Sequence, residues 1–179
     1  MIADTPLLLI VWHSRTGAAQ ALASACHEAA QMEFYKATVD LSRVACAGEV
    51  ICKRCDEVDL SLLVKARGFV FICPENLGSM AGLMKEFFDR LYYPALEHLN
   101  GRSYAAMVSA GSDGQGAARQ IERIAQGWRL RKIAEPYICN LGAQTPLQIL
   151  GPKSPSSAQL QVASDLGQSF AAGLSLGVF

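Results

Sequence analysis

Phe69-Val-Phe-Ile-Cys-Pro-Glu-Asn-Leu-Gly-Ser-Met-Ala-Gly-Leu-Met-Lys-Glu-Phe-Phe-Asp89 is the stretch on which the fold turns. Phe69 to Cys73 is an unbroken apolar run, which marks a strand buried on both faces. Pro74 has no N–H to donate and is expected to stop the sheet ladder there. An amphipathic helix follows, with Leu83, Phe87 and Leu91 on one face and Met84 and Phe88 beside them. Lys85, Glu86, Asp89 and Arg90 fall outside. Between strand and helix lies the loop Glu75-Asn-Leu-Gly-Ser-Met80. A central parallel strand ending in such a loop presents it at the carboxyl edge of the sheet, where open α/β sheets bind ligands.

The same unit recurs on either side. Leu7-Leu-Leu-Ile-Val-Trp12 is a second all-apolar run, followed by His13-Ser-Arg-Thr-Gly-Ala-Ala19 and an alanine-rich helix starting near Gly17. A strand, a hydroxyl-rich loop and a helix N-terminus make a ready anion site, because first-turn N–H groups have no intrahelical acceptor. No Gly-Lys-Ser/Thr follows, so it is not a Walker loop, and the glycines of a dinucleotide fingerprint are absent. The second strand is expected at Glu49 to Arg54, with 33–46 a helical extension or an insertion. Ser103 to Ser109 forms a further strand, then the small-residue loop Ala110-Gly-Ser-Asp-Gly-Gln-Gly116 and a helix from Ala117 to Arg129. Ile133 to Cys139 reads as the fifth strand, with Pro136 pointing to an edge or a bulge. A Pro/Ser/Gly-rich connection from Gly142 to Ser157 leads to a last helix, Ala158 to Leu174.

Alternating strands and helices imply a parallel sheet covered on both faces. A chain of 179 residues supports one domain, spanning 1–179. Sixteen basic and sixteen acidic residues cancel, which argues against nucleic acid as a partner. No apolar run is long enough for membrane insertion. Leu7 to Trp12 is too short for a signal core. Several of the six cysteines fall in apolar runs, and a chain of this size needs no disulfides, so a cytoplasmic location is expected.

Ser14-Arg-Thr-Gly-Ala-Ala19 resembles the phosphate loop of flavodoxin-like proteins. Pro74 to Arg90 resembles the isoalloxazine loop and following helix of FMN-dependent NAD(P)H reductases and quinone oxidoreductases. Ser109 to Gly116 is similar to their third flavin loop. The resemblance covers roughly Leu7 to Cys139. It implies a flavodoxin-like three-layer sandwich, with a five-stranded parallel sheet of order 2-1-3-4-5. It also implies FMN as cofactor and NAD(P)H as electron donor. The acceptor would be a quinone, a flavin or a similar small molecule, and the assembly a homodimer or homotetramer. The implied cofactor contacts are Ser14, Arg15, Thr16, Gly17, Ala18 and Ala19 for the phosphate. Pro74, Glu75, Asn76, Leu77, Gly78, Ser79 and Met80 would flank the ring on one side, and Ser109, Gly111, Ser112, Asp113, Gly114 and Gly116 on the other. Ala19 stands where the family carries a hydroxyl, and 33–55 matches it poorly. No catalytic side chain is assigned, because the hydride and electron chemistry belongs to the flavin.

Each motif also has a plainer reading. Ser14 and Thr16 can cap the first helix. Cys52-Lys-Arg-Cys55 is a lone C-x-x-C without a second pair, which favours two unpaired thiols and no metal. His13 can sense the phosphate or be an ordinary loop histidine. Phe87, Phe88, Tyr92 and Tyr93 can form a stacking surface or simply pack. A flavodoxin-type electron carrier is the alternative function; such carriers are usually acidic, and the neutral charge here favours an enzyme. A flavin-free signalling receiver would need acidic residues where His13-Ser14 and Cys73-Pro74 stand.

Overall fold

The computed structural model describes residues 5–39 and 46–179. Its strands are β1 (Leu7–Trp12), β2 (Glu49–Arg54), β3 (Gly68–Asn76), β4 (Ser79–Met80), β5 (Ser103–Ala110), β6 (Arg131–Lys132) and β7 (Tyr137–Asn140). Its helices are α1 (Ala18–Val39), α2 (Leu60–Lys65), α3 (Gly82–Tyr92), α4 (Gln115–Gly127), α5 (Pro146–Leu150) and α6 (Ser157–Ser175). The parallel sheet runs β2-β1-β3-β5, with β6 and β7 both paired to the outer flank of β5. Counted by position, this is the expected 2-1-3-4-5 order with its fifth place shared by two short strands. Leu9 sits level with Ile51 on one side and Phe69 on the other.

Two cores follow from the alternation of side chains along buried strands. Leu7, Leu9, Val11, Phe69, Phe71 and Cys73 face α3 and α4, meeting Met84, Phe87, Phe88, Leu91, Ile121 and Trp128. Leu8, Ile10, Val70, Ile72 and Met107 face α1 and α6, meeting Leu22, Cys26, Ala30, Ala163 and Phe170. The result is three layers, helix–sheet–helix. Among the described residues, no helix is long and apolar enough to cross a membrane.

Four expectations need correction. The strand through Phe69–Cys73 does not stop at Pro74 but continues to Asn76. β1 ends at Trp12, opposite Ile72, so beyond it β3 has no parallel neighbour on that flank; the Pro74 carbonyl instead accepts from the Ala81 N–H at 3.1 Å. A proline is tolerated where no ladder donor is required. Ile133 to Cys139 is not one strand. Pairing with β5 stops after Lys132 and resumes at Tyr137, with two extra residues on the outer strand, a bulge of the kind Pro136 pointed to. Leu83 is exposed, and Met84 with Phe87, Phe88 and Leu91 forms the buried face of α3. The Gly142–Ser157 connection contains a short helix, α5. In the 33–46 segment, α1 continues to Val39 as a helical extension, and 40–45 lie outside the described residues.

Candidate functional site

The loop after β1 is held by its own side chains. The Ser14 hydroxyl accepts from the Gly17 N–H at 3.1 Å, while Gly17 takes φ 101°. Ala18 and Ala19 are buried and open α1, whose first turn carries no acidic residue. Small side chains keep this turn close to the sheet, and its amides point out of the helix end. The Thr16 carbonyl accepts from the Lys153 N–H at 2.7 Å. The Thr16 hydroxyl has no protein partner among the described residues.

The second loop is a hairpin. Asn76 pairs with Ser79 across Leu77 and Gly78, which take φ 53° and 70°. Two successive positive φ values are what a two-residue hairpin turn requires, and glycine supplies the second without strain. A Cβ on Gly78 would meet no protein atom within 4 Å, so the turn itself accounts for glycine there. Leu77 is fully exposed. Ser79 Oγ donates to Gln120 Oε1 at 3.0 Å and the Met80 N–H to the same oxygen at 2.9 Å, fastening β4 to α4. Met80 is buried.

The third loop is tied to the second through Glu75. Its carboxylate accepts from the N–H groups of Gly114 (2.6 Å), Gly116 (3.0 Å) and Ala117 (3.3 Å). Those donors are orphans of the α4 N-terminus, and a carboxylate there is favoured by the helix dipole as well. Glu75 thus caps a helix that its own loop does not start. The Ser112 carbonyl accepts from Asn140 Nδ2; Asp113 is exposed.

These loops surround a pocket of about 350 Å³ lined by Arg15, Thr16, Pro74, Glu75, Asn76, Ser109, Ala110 and Gly111. The remaining wall is Leu141, Ala143, Ile149, Leu150 and Lys153. The structure therefore brings seven of the expected residues to one cavity: Arg15, Thr16, Pro74, Glu75, Asn76, Ser109 and Gly111. Ser14, Gly17, Ala18 and Ala19 form the adjoining helix start. Leu77, Gly78, Ser79, Met80, Ser112, Asp113, Gly114 and Gly116 shape the loops from outside the lining. The wall from 141 to 153 was missed by sequence reasoning. Its signals were the capping-box pattern Thr145-Pro-Leu-Gln148 and Lys153, the one Lys or Arg after residue 132.

The arrangement suits a phosphate-bearing planar group. Unpaired first-turn amides, an unpartnered Thr16 hydroxyl and Arg15 gather at one end. The ends of β3 and β5 leave a slot at the other. FMN fits that chemistry.

Beside the first loop, His13 is half-buried. Burial first, then the charges of Arg54 and Arg15, holds its pKa below the ordinary value, against an opposing pull from Asp56. Arg54 pairs with Asp56 at 3.1 Å and lies over the Trp12 ring at 5.9 Å. The C-x-x-C cysteines diverge: Cys55 is in the core against α3, and Cys52 packs on the opposite face against α1. Both are free, and burial pushes each thiol up to about 11. Phe87 and Phe88 are core residues, Tyr92 stacks on Trp128 at 5.9 Å between centroids, and Tyr93 is exposed.

Solved structures of the same fold include an archaeal flavodoxin, 18% identical with TM-score 0.68, covering 94% of this chain and 98% of that one. A WrbA-like flavodoxin from Agrobacterium tumefaciens is 13% identical with TM-score 0.61, at 95% and 98% coverage. The flavodiiron core of Flv1 from Synechocystis sp. PCC6803 is 15% identical with TM-score 0.70; the match spans 98% of this chain but 37% of that one. Rubredoxin oxygen:oxidoreductase from Desulfovibrio gigas is matched over 38% of its length. The comparison with curated proteins returned no match. The profile of the NADPH-dependent FMN reductase family matches residues 8–137. That span holds β1 through the start of β7 and all three loops, and the chain belongs to the NADPH-dependent FMN reductase family, as an FMN flavoprotein oxidoreductase of flavodoxin-like fold.

Proposed function

We propose that this protein passes reducing equivalents from NAD(P)H, through FMN held in the 350 Å³ pocket, to a small acceptor of the quinone or flavin type. The observation that carries the reading is the convergence of the three loops on one cavity beside the α1 N-terminus. When bound, FMN supplies the hydride and electron chemistry. The chain's own residues do the holding. The amides of Ala18 and Ala19 and the Thr16 hydroxyl donate to the phosphate, and Arg15 adds a positive charge. Pro74, Glu75, Asn76 and Ser109 to Gly111 bound the ring slot and limit water around it. Glu75 fixes the spacing of the slot's two sides by tying the hairpin to α4. A homodimer or homotetramer, as the family resemblance implies, and a single domain over the whole chain belong to the same proposal.

The formal net charge is 0, which favours an enzyme over a carrier that docks basic partners. Titration with FMN followed by steady-state NAD(P)H oxidation, with and without a quinone, tests the proposal. We expect tight FMN uptake and acceptor-dependent oxidation. FMN uptake without any NAD(P)H oxidation would leave an electron carrier, and no uptake would overturn the assignment of the pocket.

A further inference from the structure

Lys153 stands outside the 8–137 span matched by the family profile, yet it lines the flavin pocket. Its backbone is set against the first loop. The Lys153 N–H donates to the Thr16 carbonyl at 2.7 Å, and a Cβ placed on Gly17 would lie 3.2 Å from the Lys153 carbonyl oxygen. The segment leading to it is tied to the third loop. The Leu141 N–H donates to the Ala110 carbonyl and the Ala143 N–H to the Gly111 carbonyl, both at 2.9 Å. Anchored at both ends, the segment holds Lys153 at the end of the pocket where Arg15 and Thr16 stand.

The side chain of Lys153 carries a charge that the protein leaves without a counter-ion. Its ammonium donates to the carbonyls of Ile149 (2.6 Å) and Gly151 (3.2 Å). Both acceptors are neutral, and an ammonium has three donors, so one donor and the full charge remain. Among the described residues no carboxylate pairs with it. Lys36, Lys65, Lys85 and Lys132 each have a carboxylate within 4.0 Å. Lys153 is half-buried, where a cation with only neutral partners favours a nearby anion. Glu75 is the one carboxylate among the pocket's described lining residues, and three amides already hold it. The pocket itself therefore supplies no anion for Lys153.

The first loop, for its part, is short of donors. Ala19 is fully buried and offers no hydroxyl, and the Ser14 hydroxyl is engaged by the Gly17 N–H. Thr16 is left as the loop's hydroxyl without a protein partner.

We infer that Lys153 is a cofactor-binding residue whose ammonium pairs with the FMN phosphate, in place of the hydroxyl that Ala19 lacks. The inference rests on the function proposed above and adds to it a contact from outside the family span. A lysine binds a phosphate as a point charge, through a charge-assisted hydrogen bond. The plainer role, a cap on the last carbonyls of α5, predicts a different outcome in the test.

The test is titration of the full chain with FMN and with riboflavin, together with an apoprotein melting curve for each variant. Lys153→Met keeps an unbranched stem and removes the charge. It should weaken FMN binding about tenfold or more and leave riboflavin within about twofold. Lys153→Gln can still donate to the α5 carbonyls, so it should lose FMN affinity in the same way with a melting temperature within about 2 °C of wild type. Lys153→Arg keeps the charge and should hold FMN within about fivefold. Unchanged FMN affinity in both neutral variants overturns the inference and leaves the proposed function standing. Equal losses for FMN and riboflavin overturn it as well, since they mark a cap of α5 and nothing more. So does a Lys153→Gln variant that binds FMN like wild type while Lys153→Met does not. A wild-type chain that takes up no FMN overturns the proposed function, and this inference with it.

Discussion

The Glu75 carboxylate accepts the Gly116 N–H at 3.0 Å, joining the end of β3 to the first turn of α4 over a sequence separation of 41 residues. With the bonds to Gly114 and Ala117 it is, among the described residues, the side chain that caps that helix, since the Gly114 N-cap has no side chain to offer. Glu75→Ala should cost about 1–2 kcal/mol, and Glu75→Gln, which keeps an acceptor but no charge, roughly half of that. For a chain of this size the alanine variant's melting temperature should fall by about 2–8 °C. An unchanged melting curve would show that water replaces the carboxylate at no cost.

Gly116 and Gly78 should respond differently to a methyl group. A Cβ on Gly116 would stand 1.9 Å from the Gly78 carbonyl oxygen, so the hairpin must move. Gly116→Ala should destabilise by about 1–3 kcal/mol and loosen FMN binding as the slot opens. Gly78→Ala meets open space and carries only the strain of its positive φ, about 1–2 kcal/mol. Comparing FMN dissociation constants of the two variants checks this; an equal loss of affinity would mean that the Gly78 backbone itself lies against the ring.

Leu77 holds φ 53° with its side chain in solvent, a conformation that asparagine adopts more easily. Leu77→Asn should stabilise the apoprotein by roughly 1 kcal/mol, about 2–4 °C in melting temperature. A lower melting temperature would show that Leu77 packs against something in solution.

Thr16→Ala should weaken FMN binding by roughly 10- to 150-fold, because a bond to a charged group is worth about 1.5–3 kcal/mol. Riboflavin, which lacks the phosphate, should be nearly unaffected. Ser14→Ala should behave otherwise: its hydroxyl already accepts the Gly17 N–H, so its loss relaxes the loop and lowers apoprotein stability. Equal losses for FMN and riboflavin in Thr16→Ala would make Thr16 a structural residue.

His13 titrates below its ordinary value of 6.5, so the unfolded chain takes up this proton more readily than the folded one. The stability it contributes is present above pH 6.5 and is lost as pH falls through the folded pKa. Protonation sets a third positive charge beside Arg54 and Arg15, relieved only partly by Asp56. Melting temperature should therefore drop between about pH 7.5 and pH 5, and less steeply in His13→Gln. Parallel profiles for the two proteins would place the acid sensitivity elsewhere.

Much of the architecture was legible because it is local and repetitive. Leu7–Trp12 and Phe69–Cys73 are apolar at every position, which only a strand covered on both faces tolerates. The amphipathic pattern from Leu83 to Leu91 fixes a helix, although which of Leu83 and Met84 turns inward depends on the angle at which α3 meets the sheet. Strand ends were harder. The ladder passes Pro74 because β1 has already ended at Trp12 on the flank where a donor would be needed, whereas Pro136 lies in a bulge of two extra residues before pairing with β5 resumes at Tyr137. A proline reads the same way in both sequences; only the neighbouring strand decides its effect.

The sequence by itself determined the strand–loop–helix units, the loops that would meet at one sheet edge and the family they resemble. Each of these lives in contiguous residues, where propensity and periodicity act directly. The tertiary structure alone decided how the loops are joined. It made Glu75 a cap for a helix 41 residues further on, sent Cys52 and Cys55 to opposite cores, and folded a Pro/Ser-rich connection back as a wall of the pocket. Those outcomes depend on which orphan amide or empty flank lies within reach once the sheet has closed, and nothing in a local stretch of sequence encodes that distance.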